Sequence, residues 1–520
     1  MRSALYFLPC ALLTAAIAFS CGGTNGSSDF RDGGSNGGGD ATTDDGGPGL
    51  GDDGPTFGSD TGGPKPQCQG LECQWVDCAS MGKPETVLSG TVYDPAGNLP
   101  LYNVYVYVPN TTPLPIGAGN PTCTACEAPA SGSPIIGALT DPQGHFSIQY
   151  KAGGQYNFGV PAGQDIPLVI QVGKWRKQLK IPSVTACQTN DLDGVFNSGS
   201  GKARQMRLPG NGSEGDMPLI AFTSGCDPAE CFLRHVGIDD SEFAPPGTAG
   251  KHVHFYTGWD GPTGSSPASA VSGGNTPQQT YQWWSNASNL LKYDIVFDAC
   301  ECVPNDRGAS AYAAMQQYLD NGGRLFTTHF YYNWFTQPGV AEYANVAAWA
   351  ANSANGYSTY WIDTSFPKGQ AYGAWLLANG IATGSMQAGI SIAVTDTRND
   401  VNQAGLPTYP DSTRWIYNAD SAGSMGAPPS AYSTEYVSFN TPVTPKPAPD
   451  GGAGLQCGRA VFSDVHLSGN SDNSTFPNEC ANADPGGQHT VNEKALEFLF
   501  FDLSSCIQND TQPPPPPPPQ

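Results

Sequence analysis

The segment that decides the fold runs from "YDIVFDAC" (residues 293–300) through "ASAYAAMQQYLDNGG" (309–323) to "RLFTTHF" (324–330). The first part is a short apolar run of strand type. In the second, apolar residues recur at 311, 315 and 318/319, which is helical spacing. A glycine pair ends that helix, and a second apolar run stops at His329. Strand, helix and strand in this order predict a parallel pair joined by a crossover.

The pattern extends both ways. "LIAFTSG" (219–225) and "KHVHFYTG" (251–258) read as strands, as does "CGRAVFSDVHLS" (457–468) after a long insertion. In "CDPAECFLRHVGID" (226–239), Asp227 is the expected N-cap, Pro228 the first helical residue, Glu230 the partner in a capping box and Gly237 the stop. "TVNEKALEFLFFDL" (490–503) predicts a closing helix, with Thr490 and Glu493 as its capping box and 495, 496, 499, 500 and 503 as its apolar face. A mainly parallel sheet covered on both faces follows for residues 217–505.

Before residue 217 the texture differs. "TVLSGTVYDPAGNLPLYNVYVYVPN" (86–110), "IIGALTDPQGHFSIQY" (135–150) and "IPLVIQVGKWRKQLKIPSV" (166–184) each alternate apolar and polar residues around a turn, and "ARQMRLPG" (203–210) closes the series. Three hairpins without helical period predict a β-sandwich over 67–210. The chain is therefore expected to be multidomain, a sandwich followed by an α/β domain.

The bulk numbers agree. Among 520 residues there are 65 glycines and 46 prolines, and only 13% are charged, as in loop-rich β structure with low-complexity segments. A net charge of −23 excludes nucleic acid as a partner, because a phosphate backbone would be repelled. Residues 1–21 have the basic start and apolar core of a secretory signal, and "SCGG" (20–23) resembles the lipobox of bacterial lipoproteins, with Cys21 as the lipidated residue. Ala18 and Phe19 depart from that motif, and an ordinary cleaved signal is the alternative. The resemblance implies export to the outer membrane or cell surface, with the membrane reached through the lipid. Residues 22–66 are too poor in large apolar side chains to fold and read as a tether, and 506–520 as a Pro-rich exposed tail. Without Cys10 and Cys21, thirteen of the 15 cysteines remain, enough for six disulfides and one free thiol.

Two family resemblances follow. "SGTVYDPAGNLPLYNVYVYV" with "TDPQGHFSI" resembles the carboxypeptidase regulatory-like domain, a prealbumin-like accessory sandwich related to starch-binding modules. "YDIVFDACE" and "YLDNGGRLFTTHF" resemble the flavodoxin-like core of class I glutamine amidotransferases, in the trehalose-utilisation (ThuA-like) branch. In an amidotransferase the elbow after the glycine pair presents a nucleophilic cysteine. Here it carries His329, so glutamine hydrolysis is not expected. Cys300 and Cys302 read instead as disulfide partners of Cys226 or Cys231.

His329, Asp464 and His466 fall at predicted strand ends, where open α/β sheets bind ligands, and are the catalytic candidates if the chain is an enzyme acting on a sugar. His252 and His254 form an H-x-H pair of the spacing that zinc sites use, a weaker candidate; no cofactor is implied. Polysaccharide binding is the leading expectation. Its candidate residues are Lys174, Trp175, Arg176 and Lys180 in "KWRKQLK", with Trp283, Trp284, Tyr331, Tyr332 and Trp334 in two aromatic groups. Edge protection and core packing are the competing explanations for these groups.

Overall fold

The strands expected in the second half of the chain all form and lie side by side. A computed structural model describes residues 67–126, 128–260, 266–350, 359–418, 433–445, 454–467, 475–480 and 489–519. The signal sequence, Cys21 and the segment 22–66 lie outside the described residues.

From one edge, the largest sheet runs Phe243–Ala244, Val253–Tyr256, Ile220–Thr223, Ile295–Asp298, Arg324–Thr328, Gly458–Ser463, Thr434–Thr441, Ser412–Tyr417, Tyr360–Ile362, Gly389–Ile392 and Thr383–Ser385. The first six strands are mutually parallel. Leaving aside the two-residue edge strand, their chain order across the sheet is 2-1-3-4-5. Alternate residues face opposite cores. Phe222, Phe255, Phe297 and Phe326 stack on one face with ring centroids 4.5–5.4 Å apart between neighbours. Val296, Leu325, Ala460 and Phe462 point the other way, into the cluster that holds Tyr312, Met315 and Leu319 of the helix Ala309–Asp320. Burial on both faces explains the near-continuous apolar runs.

The remaining five strands are antiparallel, so the sheet is mixed and not mainly parallel. They come from the insertion between the His329 and Asp464 strands, in which only Thr383–Ser385 and Gly389–Ile392 are joined by a tight turn. The helix beginning at Asp227 also differs. It spans Glu230–His235 with Ala229 at its N-cap, and the Asp227 carboxylate accepts from Leu467 N at 3.1 Å. Thr490 and Glu493 do form the capping box of Val491–Ser504.

The N-terminal strands form two sheets. One is four-stranded, Pro134–Leu139, Tyr105–Pro109, Gly163–Val172 and Trp175–Val184; the other joins His145–Ile148, Val87–Thr91 and Thr189–Asp191. Only the third predicted hairpin pairs with itself, Val172 facing Trp175 across Gly173 and Lys174. In the first two, the turn carries the chain from one sheet to the other. Turn chemistry specifies reversal, not which strand becomes the partner.

Residues Pro66–Gln520 make one compact unit. The helix Val491–Ser504 explains why. Its predicted apolar face packs on the large sheet, but Phe498 and Phe501 are buried too. Phe498 stacks on Tyr102 and Phe501 meets Trp175, both from the N-terminal strands. Apolar side chains on more than one side of a helix need a packing partner on each.

Disulfides reinforce this. Cys123–Cys457 and Cys126–Cys506 join the two halves, beside Cys68–Cys73, Cys78–Cys187, Cys226–Cys302 and Cys231–Cys480. Cys302 takes Cys226 as expected, but Cys231 pairs with Cys480, and Cys300, expected in a bridge, is the buried free thiol among the described residues. Six such bridges are compatible with an extracellular protein, and no helix among the described residues is long and apolar enough to cross a membrane. The Pro-rich tail is docked, contrary to expectation: Cys506 is bridged, Asp510 is buried, and Pro518 O accepts from Ala130 N at 3.1 Å. Proline donates nothing from its backbone but still offers its carbonyl.

Candidate functional site

The ends of the parallel strands bring His329 and His466 together. Their rings stack at 3.8 Å with 22° between planes. His329 turns the chain from its strand into a single helical turn, His329–Tyr332, with φ at +47°, a left-handed conformation costly to a residue with a Cβ. Its Nε2 lies 2.9 Å from Asp396 O; a carbonyl only accepts, so the proton sits on Nε2. Burial, then the neighbouring His466, holds the imidazole well below the usual histidine range, and it is neutral.

Asp464 lies behind this pair. Its Oδ2 accepts from Asp400 N at 2.6 Å, and it is fully buried together with Asp400 and Glu435. Burial first, then those two carboxyls, raises Asp464 well above the carboxylate range. An acid that keeps its proton cannot act as a general base. Arg398 supplies compensating charge, with Nε 2.8 Å from Asp400 Oδ2. Of the three rim candidates His329 and Asp464 are enclosed, at 5% and 0% exposed, while His466 is half-buried.

Nearby sit residues that strand-end reasoning did not nominate. Cys226 N donates to Cys300 O at 2.8 Å, and Gly225 approaches so closely that a Cβ would lie 2.0 Å from Cys300 O. Asp227 joins two strand ends, accepting from Leu467 N and, at 3.4 Å, from Thr328 Oγ1. Its proline neighbour concealed this, because Asp-Pro reads equally well as a helix start.

The aromatic candidates for sugar stacking are core residues. Trp175, Trp284, Trp334 and Tyr331 are at most 1% exposed and Trp283 8%. Tyr331, Trp284 and Trp334 surround the Arg307 guanidinium at 3.6, 4.5 and 4.7 Å. Trp334 Nε1 donates to Asp298 Oδ2 at 2.5 Å. This group cages an internal cation and offers no free face to a ligand. Tyr332 is half-buried. The basic strand also disperses. Lys174 is buried on Asp294 at 2.5 Å and Arg176 on Asp216 at 2.8 Å, which leaves Lys180 exposed. His252 pairs with Glu242 at 2.7 Å, while both ring nitrogens of His254 are engaged, by Tyr293 Oη at 2.8 Å and Thr248 O at 3.0 Å. The two do not converge on one point.

Room for a ligand exists elsewhere. A cleft of about 600 Å³ opens on the antiparallel half of the sheet. Phe366 and Phe439 are among its apolar lining, and Asp363, Arg414, Asn440 and Asp510 among its polar lining. Arg414 Nε and Nη2 each lie 2.8 Å from Asp363 Oδ2. Asp510 is held by Lys368 at 3.0 Å and Arg459 at 2.9 Å, and despite burial these cations keep its carboxyl well below the usual range. The tail thus builds a wall of the cleft. The one signal in the sequence was Cys506, which announces a tether just before the polyproline run.

No family model and no curated protein matches the chain. Among solved structures it is similar to a ThuA-like protein from Bacteroides uniformis ATCC 8492, at 9% identity, over 48% of this chain and 82% of that one, with a TM-score of 0.21.

Proposed function

We propose that the chain is an exported, disulfide-braced binding protein that takes carbohydrate in the cleft on the antiparallel half of the sheet. The observation that carries this is the cleft itself. Its volume suits a small ligand, and its lining mixes apolar surface with a few fixed polar groups. The Asp363–Arg414 pair offers both an acceptor and planar donors to adjacent hydroxyls, and the rings of Phe366 and Phe439 are apolar surface of the kind that suits the C–H groups of a sugar.

In this picture the N-terminal sheets are the sandwich of a carboxypeptidase regulatory-like module, and the 2-1-3-4-5 strands are a flavodoxin-like, amidotransferase-like core without catalysis. Cys21 carries the lipid that holds the protein at the outer membrane or cell surface.

A glycan array, followed by calorimetry on the hits, tests the reading with the exported chain. Binding to neutral or acidic glycans is expected, and Arg414→Ala should weaken it by roughly ten- to a hundredfold, the worth of a charged hydrogen bond. No retention on any glycan at low salt, or binding untouched by Arg414→Ala, removes the proposal.

The left-handed elbow at His329 favours a second reading, a ThuA-like enzyme acting on a sugar at the rim. It requires turnover that His329→Ala abolishes while the fold persists.

A further inference from the structure

One group near the rim plays no part in the cleft. The sulfurs of Cys226, Cys300 and Cys302 and a ring nitrogen of His466 all lie within 4.8 Å of one another. They come from the ends of three strands of the parallel half, beside the point where the strand order reverses, between Ile220–Thr223 and Ile295–Asp298. Four soft or borderline ligands around a tetrahedral zinc ion, with Zn–S near 2.3 Å, stand roughly 3.8 Å apart; with Cys226 and Cys302 bonded to each other here, the group reaches such a set only once that bond opens.

Two further observations point to an ion. The Cys300 sulfur is fully buried, yet it accepts the Cys302 N–H at 3.2 Å, and the Phe330 backbone also bonds to it. Amide donors aimed at a buried sulfur favour the thiolate, while burial opposes it; a bound cation relieves that conflict. Among the described residues His466 Nε2 is buried without a hydrogen-bond partner, although its ring is fixed by the stack on His329. A buried ring nitrogen with nothing to bond is costly unless it meets a ligand.

We propose that Cys226, Cys300, Cys302 and His466 form a redox-gated Cys₃His site for a thiophilic, tetrahedral cation of the zinc class, and that the Cys226–Cys302 disulfide is its oxidised, metal-free state. Opening it needs a dithiol reductant. One thiol attacks the sulfur of the half-buried Cys302, breaks the disulfide and releases Cys226. The second displaces Cys302, and the reductant leaves as its own disulfide, having given two electrons and two protons. The cation then replaces three thiol protons, which pass to solvent, and takes neutral His466 as its fourth ligand.

The test uses the whole exported chain and Co²⁺ as probe. After mild dithiol treatment, peptide mapping follows Cys226 and Cys302, and absorption follows tetrahedral cobalt–thiolate bands. One equivalent of such cobalt is expected. Cys300→Ser should abolish the signal and His466→Ala weaken cobalt binding by more than about tenfold. Cys300→Ser retains every disulfide, so thiols freed elsewhere would still bind cobalt in it. A spectrum surviving in that variant overturns the proposal. So does a Cys226–Cys302 bridge that stays closed while the protein remains folded, or an open one that binds no tetrahedral cobalt. Should Cys300→Ser fail to fold, His466→Ala and the mapping decide alone.

Discussion

The two halves of the large sheet divide the expected features between them. The parallel half holds the residues that look chemical: paired histidines, the buried carboxyl of Asp464, a free thiol. Its rim is closed apart from the half-buried His466 and Cys302, and most of its side chains are spent on neighbours. The antiparallel half has ordinary ion pairs and few residues that a motif would single out, yet it has the open volume. A reactive residue type at a strand end marks where a family keeps its chemistry. A ligand needs space as well, and here the space lies on the insertion.

The largest expected effect tests what holds the open half together. Arg459 is 2% exposed and sits between Asp502 at 3.2 Å and Asp510 at 2.9 Å. Arg459→Met leaves two buried carboxylates facing Lys368 alone. A loss of about 3–5 kcal/mol in urea unfolding is expected. Glycan binding should fall as well, since Asp510 anchors the cleft wall. A loss below about 1 kcal/mol would mean that the tail is held by Cys126–Cys506 and not by charge.

His329 probes the closed half. His329→Ala gives up the stack on His466 and the bond to Asp396 O, for an expected loss of about 1–3 kcal/mol. His329→Gly loses the same contacts but accepts φ +47°, so it should be more stable than the alanine variant by about 1 kcal/mol, the reverse of the usual ranking. The pH dependence has a definite sign. The folded state holds this imidazole neutral, its pKa well below the ordinary histidine value of about 6.5. Above that value both states are neutral and nothing changes. Below it only the unfolded chain takes up the proton, so wild-type stability falls. Asp464 works oppositely: its raised carboxyl stabilises the fold at low pH and loses that contribution as pH rises through the folded value. The difference between wild type and His329→Ala isolates the histidine. The cost of the substitution should be smaller at pH 5 than at pH 8. Glycan affinity unchanged throughout keeps the two halves distinct; glycan affinity lost with His329 breaks the comparison.

What could be read from the chain follows the reach of each signal. The alternation from Ile220 to Thr328, the capping box at Thr490 and the odd cysteine are local or arithmetical, and they are found as expected. Phe498 and Phe501 were visible as apolar residues off the predicted face, a sign of a second packing partner. Nothing nearby in sequence announced that this partner was the N-terminal β segment, some 400 residues earlier. The buried tryptophans mislead for a related reason. Stacking on a sugar and caging Arg307 ask for the same aromatic composition, and only burial separates them. The cleft was the least legible feature, because its walls come from the insertion and the tail, regions without periodicity.

The smallest effect concerns the mouth of the cleft. Leu406 lines it and is 60% exposed, an apolar side chain left in water. Removing it costs the fold almost nothing, since little of its surface is buried, and Leu406→Ser should shift stability by no more than about 0.5 kcal/mol. A sugar entering the cleft would cover this side chain. If half of its surface is withdrawn from water on binding, the gain is on the order of 1 kcal/mol, or about fivefold in affinity. Calorimetry on Leu406→Ser therefore asks a narrow question. A several-fold weaker glycan affinity at unchanged stability puts the ligand against this wall of the antiparallel half. An identical affinity places the bound ring deeper, against Phe366 and Phe439, and reduces the mouth to a passage.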